Sequence, residues 1–375
     1  MHLLEVWHMR FVEAVRLLNA VGYYLYKRAE YAEAQRRYEQ ALELLGEEEE
    51  PLLTAHILSN LGVLHLMLAH SPQAESYLRR ALRVREQLFE PTHPDLAQNL
   101  NDLAGVYHNQ GKLTEAEPLY QQALAIQEQM LGAEDPLTVR TLGNLALLKY
   151  SQKKYAESEA FNKRALAARE KHLGAYHVDT GQSLLNLAYV SLLQQRYTEA
   201  EPLFRRALAI YEKAYGPEHP QTAIALNGLG QFYHARQQYD EAEPLFQNVL
   251  ATWEKAYGLV YPRFIGLLKA LAEIALYRER YEEAEQLFRR AWQIQEQTSW
   301  LESIDLVPGL RKLADIHERQ ERYDRALSLY QLMVALRQRF PGEEHQESVA
   351  VQEDYASFLR RRKRADQANE STDAD

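Results

Sequence analysis

The sequence predicts an all-α protein, a solenoid of antiparallel helix pairs. Three observations predict it: a small residue that recurs every 42 positions, a second small-residue series locked to the first, and apolar residues at helical spacing around both. Gly62, Ala104, Ala146, Ala188, Gly230, Ala272 and Ala314 each follow a leucine, Ala356 follows Tyr355, and each lies 42 residues after the last. Gly22 extends the series backward by a step of 40. The second series, Ala34, Ala74, Ala116, Ser158, Ala200, Ala242, Ala284, Ala326 and Ala368, runs twelve residues behind the first. Two series at one offset mean two elements in each unit.

Each element is a helix by its spacing. Leu100, Leu103, Ala104 and Tyr107 give the i, i+3, i+4, i+7 stripe of a first helix, A, and Ala116, Leu119, Tyr120 and Ala123 give that of a second, B. Small residues recur because helix A crosses helix B, and one hairpin leans on the next, where no volume is left for a large side chain. The turn from A to B often carries tyrosine, at Tyr31, Tyr155, Tyr197, Tyr239, Tyr281 and Tyr323. Helix B is expected to open with a capping box, Thr114 with Glu117 and Thr198 with Glu201, and to hold Pro118, Pro202 and Pro244 in its first turn. It is expected to stop at Gly132, Gly174, Gly216, Gly258 and Gly342, in the left-handed cap conformation. Segment 298–309 departs from the pattern, with Trp300 where the stop glycine belongs, and Ser158 and Asn162 break the B pattern of one unit. The organisation this gives is a single repeat domain over 1–368, about eight helix-turn-helix units plus a C-terminal capping helix, and a mobile tail over 369–375.

Composition narrows the function classes. Hydrophobic content of 46% and charged content of 26% place the bulk of the chain among folded proteins rather than disordered ones. A net charge of −10 argues against nucleic acid or an anionic membrane as the main partner. The chain has no cysteine, which excludes disulfides, thiol nucleophiles and thiolate metal sites. Residues 1–10 carry Glu5 and no apolar stretch of signal-peptide length, and no later run approaches the roughly 18 apolar residues of a spanning helix, so the expected location is the cytoplasm.

The runs Leu-Ala-x-x-Tyr at 103–107 and Ala-x-x-x-Tyr or Phe at 116–120, 200–204 and 242–246 resemble the tetratricopeptide signature. The 42-residue unit is longer than the usual unit of about 34. With Glu-Ala-Glu-Pro-Leu-Tyr at 115–120 and Tyr-Gly-Pro-Glu-His-Pro at 215–220, the chain resembles the repeats of kinesin light chain and their bacterial relatives over nearly its whole length. The resemblance implies a right-handed superhelical solenoid with helix A lining a concave inner surface, and a role in protein or peptide binding.

Residues that invite a catalytic or metal reading do not assemble into a site. His93, His177, His219 and His345 sit at multiples of 42, so they occupy the same turn of different units and are held a repeat apart. Gly111 and Lys112 look like the end of a phosphate loop, but Gly105 is one residue too far away and Leu113 stands where Ser or Thr is required. Glutamates beside Lys and Arg along the helices read as solvated pairs of small energetic weight. The basic run 360–364 reads as a solvated face of the last helix or as a contact for an anionic partner. No nucleophile, base and oxyanion donor are brought together, and the expectation is a non-enzyme with no metal and no cofactor.

Two residues before and one residue after each first-series anchor, the inner helix offers its side chains to a ligand. The candidate peptide contacts are Asn60, Asp102, Asn144, Leu147, Asn186, Tyr189 and Gln231 at these places, with Tyr150, four after Ala146, and Asn227, three before Gly230, beside them. An asparagine amide presents a donor beside an acceptor, which suits an extended peptide backbone. The kinesin light chain resemblance implies that role for Asn60, Asn144 and Asn186; the other reading is that they tie neighbouring helices together. Leu147, Tyr150, Leu185 and Tyr189 are expected to make the middle of this wall apolar. A second, charged contact is expected at Lys269, Arg311, Lys312 and Arg319, with Glu273 and Asp315 between. A carboxylate clamp of the chaperone-binding kind needs asparagine directly after the anchor, and no unit has one there. The function expected is a protein or peptide scaffold binding in the concave groove, with no nucleic acid and no membrane as partner and the oligomeric state open. The opening segment 7–14 resembles the lead-in to repeat arrays of STAND-class NTPases, which makes a sensor region of such a switch the alternative, with an enzyme scaffolded on repeats behind it.

Overall fold

Among the residues described by the computed structural model, 2–28, 30–45, 50–68, 70–298, 305–339 and 345–372, every regular element is an α-helix. Trp300, Gly342 and the last tail residues 373–375 lie outside the described residues, as do the side chains of Trp7, His345 and Ala368. The chain divides into two compact units, Met1–Leu203 and Phe204–Asp375.

The first unit contains α1 (His2–Lys27), α2 (Tyr31–Leu45), α3 (Pro51–Met67), α4 (Ser71–Leu88), α5 (Pro94–Asn109), α6 (Leu113–Met130), α7 (Pro136–Ser151), α8 (Tyr155–Leu173) and α9 (Val178–Leu193). The division falls inside α10 (Tyr197–Tyr215). The second unit continues with α11 (Pro220–Ala235), α12 (Tyr239–Tyr257), α13 (Phe264–Tyr277), α14 (Tyr281–Thr298), α15 (Val307–Arg319), α16 (Tyr323–Arg339) and α17 (His345–Thr372), so residues 369–372 are helical. Within each unit an odd-numbered helix packs on the even-numbered helix that follows, and that helix packs on the next odd one. The small anchors stand at the crossings, with Ala104, Ala146, Ala188, Ala272 and Ala314 at 0% exposure. Large residues four positions after the second-series anchors fill the space opposite, among them Tyr38, Leu78, Tyr120, Phe246 and Phe288. Burying each such side chain is worth about 1.5–3 kcal/mol, so each crossing supplies its own share of the core.

Helix ends account for the periodic histidines. His93, His177 and His219 each accept a hydrogen bond at Nδ1 from the backbone N–H two residues on, at 3.1, 3.2 and 3.1 Å, and Asp135 does the same at 2.8 Å through Oδ1. These side chains are N-caps of α5, α9, α11 and α7, satisfying amides that helix geometry leaves orphaned.

Three local expectations change. The residue before α6 is Lys112, which makes no side-chain cap, while Thr114 lies inside the helix and its Oγ1 donates to Glu115 at 2.6 Å; the capping box of Thr114 is not formed, and the Glu117 carboxylate accepts from Lys149 and Gln152 of α7 and the turn after it. Pro118, Pro202 and Pro244 stand in the second turn of α6, α10 and α12, on exposed faces where the carbonyl each leaves unpaired meets water. Gly174 and Gly258 end their helices at φ 91° and 76° as expected in sign, but with ψ 163° and −168° they are in the extended glycine region rather than the left-handed helical one.

Candidate functional site

In the first unit α1 touches α3, α3 touches α5, α5 touches α7 and α7 touches α9, whereas the even-numbered α6 and α8 are joined through long side chains, Arg164 to Glu128. The odd helices therefore form one wall, and polar side chains bond across it. Asn60 Nδ2 donates to Asn19 Oδ1 at 2.9 Å, and Asn144 Nδ2 donates to Asn101 Oδ1 at 3.0 Å. Thr141 Oγ1 donates to the same Asn101 oxygen at 3.1 Å. Asn60 and Asn144 thus tie α3 to α1 and α7 to α5, each spending one N–H on its neighbour. Asn186 accepts from Gln182 of its own helix at 3.0 Å.

A pocket of about 430 Å³ opens on this wall between α1, α3, α5 and α7. Asn60 and Asp102 both line it, together with Tyr23, His56, Arg85 and Arg140. Gln98 Nε2 donates to both oxygens of Asp102, at 2.9 and 2.8 Å, and Asn101 Nδ2 donates at 3.2 Å. Burial pushes the Asp102 carboxyl up, against the pull of Arg140 and these amides. Arg85 reaches the pocket from α4 at 4% exposure; its Nη1 donates to Ser59 Oγ at 2.7 Å and to Asn99 Oδ1, and its Nε is buried without a partner. Lys27 lies 5.2 Å over the Tyr23 ring, and His56 Nε2 stands 3.8 Å from Asp95. Amides, aromatic faces and charges of both signs are thereby presented on one surface.

Asn144, Leu147, Tyr150, Asn186 and Tyr189 lie on α7 and α9, outside this lining. Leu147 is 45% exposed, and the Tyr150 ring meets Tyr155 edge-on at 6.0 Å. Leu185, expected on the apolar wall, is instead buried at 1%, because it shares the core stripe of α9 with Leu184 and Ala188. Arg85 escaped the sequence reading because only inner-helix positions were counted. Its signal is a polar residue eleven positions after the second-series anchor, repeated at Gln127, Arg169, Gln295 and Arg337 where other units carry Leu45, Tyr211 or Trp253.

The second unit holds a pocket of about 420 Å³ lined by Tyr239, Glu273, Leu276, Tyr277, Lys312 and Ile316, among others. Burial raises the Glu273 carboxyl, but His234 at 3.3 Å, Lys269 at 4.0 Å and Lys312 outweigh it and hold the group below its usual range. Of the expected charged contact, Lys269 and Lys312 gather about Glu273, while Arg311 is engaged by Asp354 of α17 at 2.5 Å and Arg319 is exposed. Asn227 is half-buried with Oδ1 enclosed and unpartnered, and Gln231 is exposed. Among the described residues no group of three or more His, Cys, Asp or Glu side chains is placed to hold a metal ion, and no helix is long and apolar enough to cross a membrane.

Tetratricopeptide repeat family models match residues 13–87, 53–129, 95–171, 179–236 and 222–297, and a further one matches 310–344. The chain belongs to the tetratricopeptide repeat family. This tetratricopeptide repeat protein is similar to nephrocystin-3 of Xenopus tropicalis, 39% identical over 88 residues, and of Mus musculus, 37% identical over 87; these spans are 24% and 23% of the chain. The matched span is 6% of the length of each of these relatives. Among solved structures it is similar to BtubC (BKLC) from P. vanneervenii, with TM-score 0.51 and 23% identity over 62% of this chain and 92% of that one. It is also similar to apo RapI, with TM-score 0.61 and 17% identity over 76% and 98%, and to a Rap protein complexed with Competence and Sporulation Factor, with TM-score 0.57 and 16% identity over 89% and 100%. At these identities the likeness is one of fold.

Proposed function

We propose that this tetratricopeptide repeat protein is a non-enzymatic scaffold that binds an extended peptide or partner segment on its odd-helix wall. The observation that carries the reading is the pocket of about 430 Å³, where Asn60, Asp102 and Gln98 offer amide and carboxylate groups beside the Tyr23 ring. A peptide backbone needs donors and acceptors side by side, and an aromatic face gives one of its side chains an anchor. The reading is supported by a Rap protein of similar fold, which is complexed with Competence and Sporulation Factor. Asn60 retains one N–H and its oxygen for such a ligand after bonding Asn19.

The test is to pan a random peptide library against the purified chain and measure the enriched sequences by calorimetry. Asn60→Ala and Tyr23→Ala should each weaken them about tenfold, the effect of losing roughly 1.4 kcal/mol. Peptides that bind both variants as tightly as the parent, or a library that gives no enrichment, would remove this reading.

A further inference from the structure

On α3 the stripe Leu53, Ile57, Leu61 and Leu64 is buried against Ala34, Tyr38, Ala41 and Leu45 of α2. The stripe in the same register of α1, forty residues earlier, is Glu13, Leu17, Val21 and Tyr24. Leu17 is 65% exposed and Tyr24 58%, where their counterparts Ile57 and Leu64 are at 0%. α1 therefore displays a stacking face of interior character. α17 also exposes Val349 and Leu359, but beside Glu353, Arg360, Lys363 and Arg364. On α1, Leu17, Ala20 and Tyr24 form the exposed apolar part of the face, flanked by charge, and an apolar patch of this kind marks an interaction site.

We propose that the occupant is a second copy of the chain, paired α1 to α1 about a two-fold axis. The charges choose it. Glu13 is exposed at one end of the stripe and Arg28 at the other, where Arg28 Nη1 holds the Tyr24 hydroxyl at 3.1 Å and Nε pairs with Glu30 at 3.0 Å, leaving Nη2 to reach a partner carboxylate. Antiparallel pairing with the axis between Ala20 and Val21 sets Leu17 against Tyr24 of the partner copy and Glu13 against its Arg28. The small Ala20 at the crossing permits close approach of the two helices. An isologous contact of this kind makes every favourable pair twice. This surface is separate from the wall that the proposed function uses, so the two readings fail independently.

Sedimentation velocity and light scattering over a dilution series test it. The chain should dimerise at concentrations up to about 100 µM, above the micromolar Kd of a modest interface. Leu17→Glu with Tyr24→Glu should give a monomer with an unchanged circular dichroism spectrum. Glu13→Arg should raise the dissociation constant about tenfold, and Glu13→Arg with Arg28→Glu should restore it, since the pair is then reversed rather than broken. A parent chain that stays monomeric throughout, or a dimer indifferent to Leu17→Glu with Tyr24→Glu, overturns the proposal and leaves the face to a helix of another protein.

Discussion

A Cβ added to Gly230 would stand 2.6 Å from Cε1 and 2.8 Å from Cδ1 of Phe246, so the ring occupies the space a methyl group would need. Gly22 meets Tyr38 in the same way, at 2.7 Å, and Gly62 meets Leu78 at 2.5 Å. Gly230→Ala is expected to destabilise by about 1–3 kcal/mol, the range of overpacked cores. Gly230→Ala with Phe246→Leu should recover part of that loss, because the smaller side chain vacates the contact. Urea unfolding of the three proteins measures it, and an unshifted midpoint in Gly230→Ala would show that the crossing is looser than its geometry.

Asn162 occupies the position that Tyr120 and Phe246 fill in other units, and at 2% exposure its Oδ1 has no partner. Its Nδ2 reaches Ser158 Oγ at 3.5 Å, while Ser158 itself donates to the Ala146 carbonyl at 2.8 Å. Asn162→Leu removes a buried unsatisfied acceptor and adds apolar contact, and is expected to stabilise by about 1–2 kcal/mol. A lower melting temperature for Asn162→Leu would mean that the amide has a partner it keeps.

These positions also show what the sequence could and could not reveal. Helix pairing was legible because the crossings demand a small residue at each anchor, met by Gly or Ala and, at position 158, by Ser. The N-cap role of His93, His177 and His219 was not, since a histidine signals nothing until the amide of residue i+2 is placed against Nδ1. The lining of the candidate pocket was legible only in part. Asn60 and Asp102 were reachable because helical periodicity assigns a face, whereas Arg85 enters the pocket from the neighbouring helix and depends on tertiary packing.

Lys149 has a side chain only 3% exposed, and its Nζ bonds Glu117 and Glu157, each at 2.6 Å. The sequence suggested solvated pairs, yet this one stitches α7 to α6 and α8. Lys149→Met should cost about 2 kcal/mol, less than the 3–5 of a fully enclosed pair because Glu117 and Glu157 retain some access to water. Hydrogen bonds from Lys149 and Gln152 hold the Glu117 carboxyl below its usual 4.5. A depressed folded-state value means the contribution is present above pH 4.5 and is lost as pH falls through the folded value. Stability plotted against pH should therefore drop below 4.5 in the parent and drop less steeply in Lys149→Met; parallel curves would separate Glu117 from the acid limb.

The turn from odd to even helix places one residue at positive φ every 42 positions: Gly111 at 74°, then Lys153, Gln195, Gln237, Glu279 and Glu321 at 58–61°. Lys153 N–H donates to the Tyr150 carbonyl at 2.9 Å and Lys154 N–H to the Lys149 carbonyl at 2.8 Å, the paired bonds that close a helix around a left-handed residue. A side chain in that conformation costs roughly 1–2 kcal/mol, against 0.5–1 for the extra freedom glycine has when unfolded. Gln237→Gly should therefore stabilise by up to about 1 kcal/mol. Gly111→Ala should destabilise by about 1 kcal/mol through backbone strain alone, since an added Cβ there meets nothing within 4 Å. Thermal melts of the two variants should move in opposite directions, and a shift of the same sign in both would contradict a shared left-handed turn.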